Sequence, residues 1–506
     1  MTSLQEIRDV RLKKLERLKE LGINPYPAIS HRTHTIQEAL ALFPEFEMNT
    51  ESLPACTEDF SNLRTVTLSG RVMSIRAQGA LTFFNLFDGT GTFQALYKIS
   101  KDKGSVEESF LKKFELFAEV VDIGDFVEVT GVLFRTKTGQ ETILVTQWMM
   151  LTKSLLPLPE KWHGLQDVDE RYRKRYLDIL SNPELREMFE LKAQFWQRIR
   201  NFMLEHQFIE VETPTLEVTT GGAEANPFKT HHRDFDLPVF LRISVGELWQ
   251  KRLMSAGFPR TFEIGRVYRN EGSSPEHVQE FTNLEFYAAY MDYTEGIRFT
   301  EEMLKYAIRE TFGKMKFTSR GHEFDLDQPW KMLDYVSTVR DMTGIDVLKA
   351  SEEEMKAKLE ELNVQYTGEN RERLTDTLWK YCRKQISGPA WLINHPKLVS
   401  PLSKAKIDNP ELTERVQLIL AGAEVTNGFS ELNDPIDQRS RFELQKKLIE
   451  EGDEEAMMPE WEFVDMLEHG MPPTFGFGFG ERFFAFLVDK PIRETQLFPL
   501  MRPLEH

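Results

Sequence analysis

The sequence predicts an α+β protein of two domains: a small all-β unit, then a larger one with a central antiparallel β-sheet flanked by helices. Three observations predict it. Short β-type runs separated by turns crowd positions 63–151. A segment with Pro157 and Pro159 then breaks the pattern. Beyond it a long amphipathic helical stripe passes into further strand-like runs.

The elements follow in order. Ile7, Val10, Leu15, Leu18 and Leu21 fall near helical spacing, and Gly22 followed by Asn24 and Pro25 stops the run, which gives a basic amphipathic helix. The runs VTLSGRVMSI, LTFFNLFDGTGTFQALY, GDFVEVTGVLF and ETILVTQWMML then make about five short strands, enough for a small barrel or sandwich. SLLPLPEKWHG is the way out of it. The expected divisions are 1–62 for the first helix and its lead-in, 63–152 for the β domain, 153–180 for the linker and 181–506 for the second domain. That domain opens with a helix whose stripe runs through Leu185, Met188, Leu191, Phe195, Ile199 and Phe202, then the strand FIEVETP, ended by Pro214. Strand signals dominate 240–290 and return at 416–432 and 474–479. There is no internal repeat and no low-complexity tract.

Composition narrows the class. With 506 residues, 41% hydrophobic and 28% charged, the chain supports two or more cores and carries no signature of disorder. No segment approaches the ~20 apolar residues that cross a bilayer, and the start lacks a signal-peptide core, so no membrane association and a cytoplasmic location are expected. Cys56 and Cys382 lie far apart without metal-ligand spacing and suit a reducing compartment. A net charge of −18 opposes phosphate binding over the whole body, so any RNA contact is a local basic patch. RLKKLERLK and ERYRKRYLD are such patches, and each alone reads equally well as a solvated helix face.

Three segments carry chemistry. TFEIGRVYRNE (261–271) and FTNLEFYAAY (281–290) form a hairpin with a charged tip. Alternation puts Arg269 and Glu271 on one face of the first run, and Phe281, Glu285 and Tyr287 on one face of the second. Such an arginine forks onto phosphate or carboxylate, whereas two carboxylates and a phenol suit a cation. PTFGFGFGERFFAF (473–486) alternates Gly476, Gly478 and Gly480 with phenylalanine, which lets a flat ligand or a neighbouring chain approach closely. Arg482 follows in the first turn of a helix, a setting that favours anions. In EVTNGFSELND (424–434), Asn427, Phe429 and Glu431 share a face; strict alternation sends Glu424 to the other, so either Gly428 marks a bulge or that carboxylate serves a separate layer.

In order and spacing, the helix and strand before Pro214, the Arg269 hairpin and the glycine strand with Arg482 resemble the three motifs of class II aminoacyl-tRNA synthetases. The resemblance narrows to the lysyl-tRNA synthetases through TGGAEANPF, KTHH, KRLMSAGF, RNEG, EFTNLEFYAAYMDY, NGFSELNDPIDQ and EHGMPP, with TKTG and LPLPEKWHGLQD earlier. It spans nearly the whole chain. It implies an OB-fold β-barrel for the anticodon, then the class II catalytic domain, in a homodimer joined near motif 1. The implied reaction turns L-lysine and ATP into lysyl-adenylate and pyrophosphate, with Mg²⁺ on the phosphates, and then loads the 3′ end of tRNA(Lys). An aspartate or asparagine pocket would instead need cations facing the substrate side chain.

Carried over residue by residue, the resemblance gives Arg269 the α-phosphate and the lysine carboxylate, and Arg482 the γ-phosphate; both would act by position and charge. Glu271, His277 and Phe281 would hold the adenine. Gly222, Glu247 and Glu285 would take the α-ammonium, Glu431 and Tyr287 the ε-ammonium, and Asn427 and Phe429 the wall between. At ~4 Å and an effective dielectric near 20, one such ammonium–carboxylate contact is worth about 4 kcal/mol before desolvation. Glu424 matches one metal ligand; the other, seven positions earlier, is Gln417, which can offer a carbonyl oxygen but carries no charge. The motif 2 loop departs as well, with Glu276 and Val278, and one extra residue precedes Glu247. Arg76, Phe83 and Gln94 match the anticodon contacts, with Gln140 in place of the usual Glu.

Overall fold

The structure is a computed structural model that describes residues 3–48, 64–100, 106–159, 164–220, 225–272, 274, 277–366, 368, 370–451 and 457–504. The chain divides into two units, Met1–Gln166 and Asp167–His506.

In the first unit, Ser3 and Glu6 close a reciprocal capping box at the start of α1 (Leu4–Glu20). Leu15 and Leu18 are buried as their spacing predicts, but Val10 and Leu21 are exposed and Arg11 is buried instead. The reason is polar. Arg11 donates to the carbonyls of Ile123, Ser154 and Leu156, so the helix docks partly through a guanidinium whose hydrogen bonds are met. Lys14 pairs with Asp122 and Arg17 with Glu119, which ties much of this basic cluster into the unit itself.

The five expected strands form as β1 (Val66–Gln78), β2 (Leu81–Phe87), β3 (Thr92–Lys98), β4 (Phe126–Arg135) and β5 (Glu141–Thr152). They pair in the order β4-β1-β2-β3-β5, and β5 pairs again with β4, so the circuit of ladders closes. The sequence reading missed α2 (Glu108–Val120), between β3 and β4 in the chain. Its Phe110, Phe114 and Phe117 recur at helical spacing and pack edge-on against Tyr97.

In the second unit, Asn182 caps α3 (Pro183–Glu205), whose first residue is the proline suited to that position. The strand expected before Pro214 shortens to β6 (Ile209–Glu210). Within the stretch expected to be mostly strand lies a helix, α4 (Glu247–Ser255). Gly246 starts it with φ +64 and no room for a side chain against Thr213, so a left-handed glycine turns the chain from extended to helical. The hairpin follows as β7 (Arg260–Tyr268) and β8 (Glu280–Ala289), leaving Arg269 and Glu271 just past the strand. Next come α5 (Tyr293–Phe312), β9 (Lys331–Asp334), α6 (Arg371–Arg383), β10 (Ala390–Ile393), β11 (Arg415–Leu420), β12 (Ala423–Glu424), β13 (Asn427–Ser430), β14 (Thr474–Gly480) and α7 (Arg482–Leu487).

The central sheet runs β9-β10-β11-β13-β14-β8-β7-β6, with β12 beside β11. Its middle is antiparallel as expected, and both edges are parallel pairs. Alternation along β14 divides the two faces. Phe475, Phe477 and Phe479 enter the core with residues of α3 and α5, while Gly476, Gly478 and Gly480 floor the opposite face.

Candidate active site

On that glycine face a cavity of about 500 Å³ opens over β8, β13 and β14. The glycines make it possible. Gly476 faces Tyr287 across one ladder and Phe429 across the other, and Gly478 faces Glu285 and Asn427. A methyl on Gly476 would fall on Glu431 and the Tyr287 ring; one on Gly478 would lie 2.8 Å from Glu285; one on Gly480 would crowd Phe281 at 3.2 Å. The alternation seen in the sequence therefore makes room for neighbouring functional side chains.

Every described residue proposed for the second domain's site lines this one cavity: Glu247, Arg269, Glu271, His277, Phe281 and Glu285, together with Tyr287, Gln417, Glu424, Asn427, Phe429, Glu431 and Arg482. Gly222 lies outside the described residues. The position of Glu424 is resolved by register. β12 pairs Ile419 with Glu424, whereas β13 pairs Val416 with Gly428, one residue beyond the Asn427 that a continuous ladder would place there. The extra residue sits at Val425–Thr426, where the Thr426 hydroxyl accepts from Leu418 N at 2.9 Å. That slip, and not Gly428, returns Glu424 to the cavity.

One end of the cavity is anionic and buried. Glu285 accepts from Val245 N (2.8 Å), Asn283 Nδ2 (3.1 Å) and the Tyr287 hydroxyl (3.1 Å). The Tyr287 hydroxyl thus meets Glu285, with which it shares a strand face. Glu431 pairs with Lys251 Nζ at 2.6 Å, and the same ammonium lies 3.0 Å from Glu247. Lys251 was not anticipated. It is only 1% exposed, does not line the cavity, and reaches Glu431 from behind, among the Phe429 and Phe463 rings. The one cue was its place four residues after Glu247 on a helix, legible only once α4 is recognised as one. Burial raises Glu285 to about 7, with Glu247 adding to the rise. Burial likewise raises Glu431 to about 8 against the opposing pull of Lys251.

The other end is cationic. Arg269 stands over the Phe281 ring at 5.5 Å, with its Nε donating to Ile243 O at 3.3 Å. Arg482 opens α7, and the residue before it, buried Glu481, is held by Lys192 of α3 and by Thr282 N. Burial lowers both arginines from the usual guanidinium value, with the charge of Arg482 adding to the fall at Arg269 and that of Arg383 at Arg482. Phe281 and His277 complete this end, with His277 exposed and paired to Ser274. The pair expected to ligate metal does not form a cation cradle. Gln417 Oε1 accepts from His395 Nε2 at 2.9 Å, and Glu424 is held by Trp379 Nε1 and by Arg383 at 2.8 Å.

In the first unit, Arg76 pairs with Phe83 across β1 and β2, and Phe83 with Leu96 across β2 and β3. Gln94 is two residues from Leu96 and so shares that face. Arg76 is exposed; Phe83 is half-buried beside a small cluster of Leu96, Val132, Phe134 and Leu144. Gln94 donates to the Thr142 hydroxyl at 3.1 Å.

Residues 167–502 match the family described as tRNA synthetases class II (D, K and N), and residues 66–151 match the OB-fold nucleic acid binding domain. The chain is 41% identical to a lysine–tRNA ligase of Thermotoga maritima over 502 residues, 99% of this chain and 97% of that protein. It is 40% identical to one of Fervidobacterium nodosum, covering 99% and 95%, and 39% identical to one of Prochlorococcus marinus, covering 99% and 98%. An OB-fold domain, a class II synthetase domain and this likeness over the full length together place the chain in the lysine–tRNA ligase family of class II aminoacyl-tRNA synthetases.

Proposed function

We propose that this protein activates L-lysine with ATP, releasing pyrophosphate, and transfers the lysyl group from the adenylate to the 3′ end of tRNA(Lys). A charge count at the anionic end carries the reading. Glu247, Glu285 and Glu431 bring three carboxylates and Lys251 a single buried cation, so the pocket lacks two positive charges. Lysine supplies two ammonium groups. Its carboxylate is then directed toward Arg269, where in-line attack on the ATP α-phosphate is assisted by fixed charge. Arg482 holds the far phosphate, and Phe281, His277 and Glu271 take the adenine. No protein nucleophile is needed, because the substrate carboxylate attacks.

Leucine or methionine in this pocket would leave buried carboxylates without a partner, which supports rejection by about 10⁴-fold. Mg²⁺ enters as the counterion of ATP, part of the substrate. Positions 63–152 serve as the anticodon-binding domain, with Phe83 stacking on a base and Arg76 and Gln94 reading edges. Positions 181–506 serve as the catalytic domain. The working form is a cytoplasmic homodimer joined near α3 and β6, to be checked by sedimentation. Among the described residues no helix is long and apolar enough to cross a membrane.

The test is ATP–pyrophosphate exchange with lysine, arginine, ornithine, aspartate and asparagine in turn. Exchange with lysine that is lost in Arg269→Ala is expected. Exchange with none of them would leave a synthetase fold without the activation chemistry.

A further inference from the structure

The place where the family would hold a divalent cation has the wrong donors for one. Mg²⁺ takes hard oxygen ligands in near-octahedral order and draws affinity from carboxylate charge. Gln417 carries no charge, and its carbonyl oxygen is engaged by His395. Both oxygens of Glu424 are engaged, one by the Trp379 indole and one by Arg383. Among the described residues no group of three or more His, Cys, Asp or Glu stands where it could hold a metal ion.

The charges nevertheless balance. Two carboxylates and one divalent cation sum to zero, and so do one carboxylate and one guanidinium with a neutral amide in place of the second carboxylate. We propose that this chain binds the ATP phosphates here without a protein-held metal: Arg383 neutralises Glu424 in the cation's place, and Gln417 turns its amide N–H₂ toward phosphate. Arg383 ends α6 and does not line the cavity, so it acts through Glu424 as a positioning residue. Gln417 does line it, and His395 holding the carbonyl oxygen leaves the amide nitrogen as the end that meets the ligand. A donor at that point suits a phosphate oxygen; a metal needs an acceptor.

This inference rests on the reading of the cavity as an ATP site, and the test separates the two. Mn²⁺ is titrated by electron paramagnetic resonance into the full chain with a non-hydrolysable ATP analogue. The wild type is expected to take up about one ion per chain, the one chelated by the nucleotide itself. Gln417→Glu combined with Arg383→Gln restores two free carboxylates and is expected to take up a further ion. Arg383→Gln alone is expected to raise the ATP KM about tenfold with the lysine KM unchanged, and Arg383→Lys to recover most of the loss. Additional Mn²⁺ in the wild type, or none gained by the double variant, overturns the proposal while leaving the ATP site intact. A wild type that binds no nucleotide overturns the ATP-site reading beneath it.

Discussion

Three carboxylates around one internal ammonium make the proposed lysine pocket sensitive to protons before any ligand arrives. Glu431 is faced by Lys251 and Glu247 from α4 and by Glu285 and Tyr287 from β8. Burial sets Glu285 near 7 and Glu431 near 8, so below these values the empty pocket holds protons that an incoming ammonium must displace. The lysine KM in the exchange reaction should therefore fall as pH rises from 6 to 8, by up to about tenfold per unit for each proton displaced. A flat profile would refute the count of missing charges. Glu431→Gln should raise the lysine KM about a hundredfold, equivalent to ~3 kcal/mol, and leave the ATP KM unchanged. Glu217 tests the same physics without substrate. It is buried under Trp249, which donates to it at 3.0 Å, and burial raises it to about 7. A carboxyl raised on folding contributes stability that is present below its unfolded value near 4.5 and is lost as pH rises through 7. Glu217→Gln should accordingly raise the melting temperature at pH 8, by the equivalent of about 2 kcal/mol, and change it little at pH 4.5.

The glycine strand β14 shows what alternation can and cannot convey. Its period of two was plain in the sequence, and it fixes which face meets the core and which meets the cavity. Gly476→Ala should abolish lysine-dependent exchange, because its methyl has to displace Glu431 or the Tyr287 ring, and should destabilise the fold by about 1–3 kcal/mol. Exchange and denaturation measured on the same preparation would check both; full activity would mean that the strand does not seat those side chains. Other features were less legible. The extra residue between β12 and β13 shows only in the pairing of Val416 with Gly428, since a register slip leaves no mark on composition. α4 hid in a strand-rich stretch because the left-handed Gly246 that starts it reads as an ordinary turn residue. Arg383 belongs to a helix more than thirty positions before Gln417, and only the fold joins its charge to Glu424. α2 is marked in the sequence by three phenylalanines at helical spacing, but it lies between two strand runs that mask it.

In the proposed function both chemical steps belong to the second unit and anticodon recognition to the first, and this division can be tested. The β-type spacing and the glycine strand that suggest it fall in different units. Activation needs only ATP and lysine, both assigned to the cavity over β14, whereas charging also needs the tRNA to be recognised. Phe83 offers an aromatic surface that is half-buried and flanked by the exposed Arg76, a pairing suited to an unpaired base and its phosphate. Base stacking is worth about 1–3 kcal/mol per aromatic. Phe83→Ala should therefore raise the tRNA KM for aminoacylation about 5- to 150-fold, since 1.4 kcal/mol is a factor of ten. ATP–pyrophosphate exchange without tRNA should be unchanged, because the missing ring belongs to the other unit. If exchange fell as well, Phe83 would be acting through folding, its contact with Leu96 and Phe134 mattering more than its face. If neither rate moved, the anticodon would be read elsewhere on the OB-fold, and Arg76 and Gln94 would lose their assignment with it.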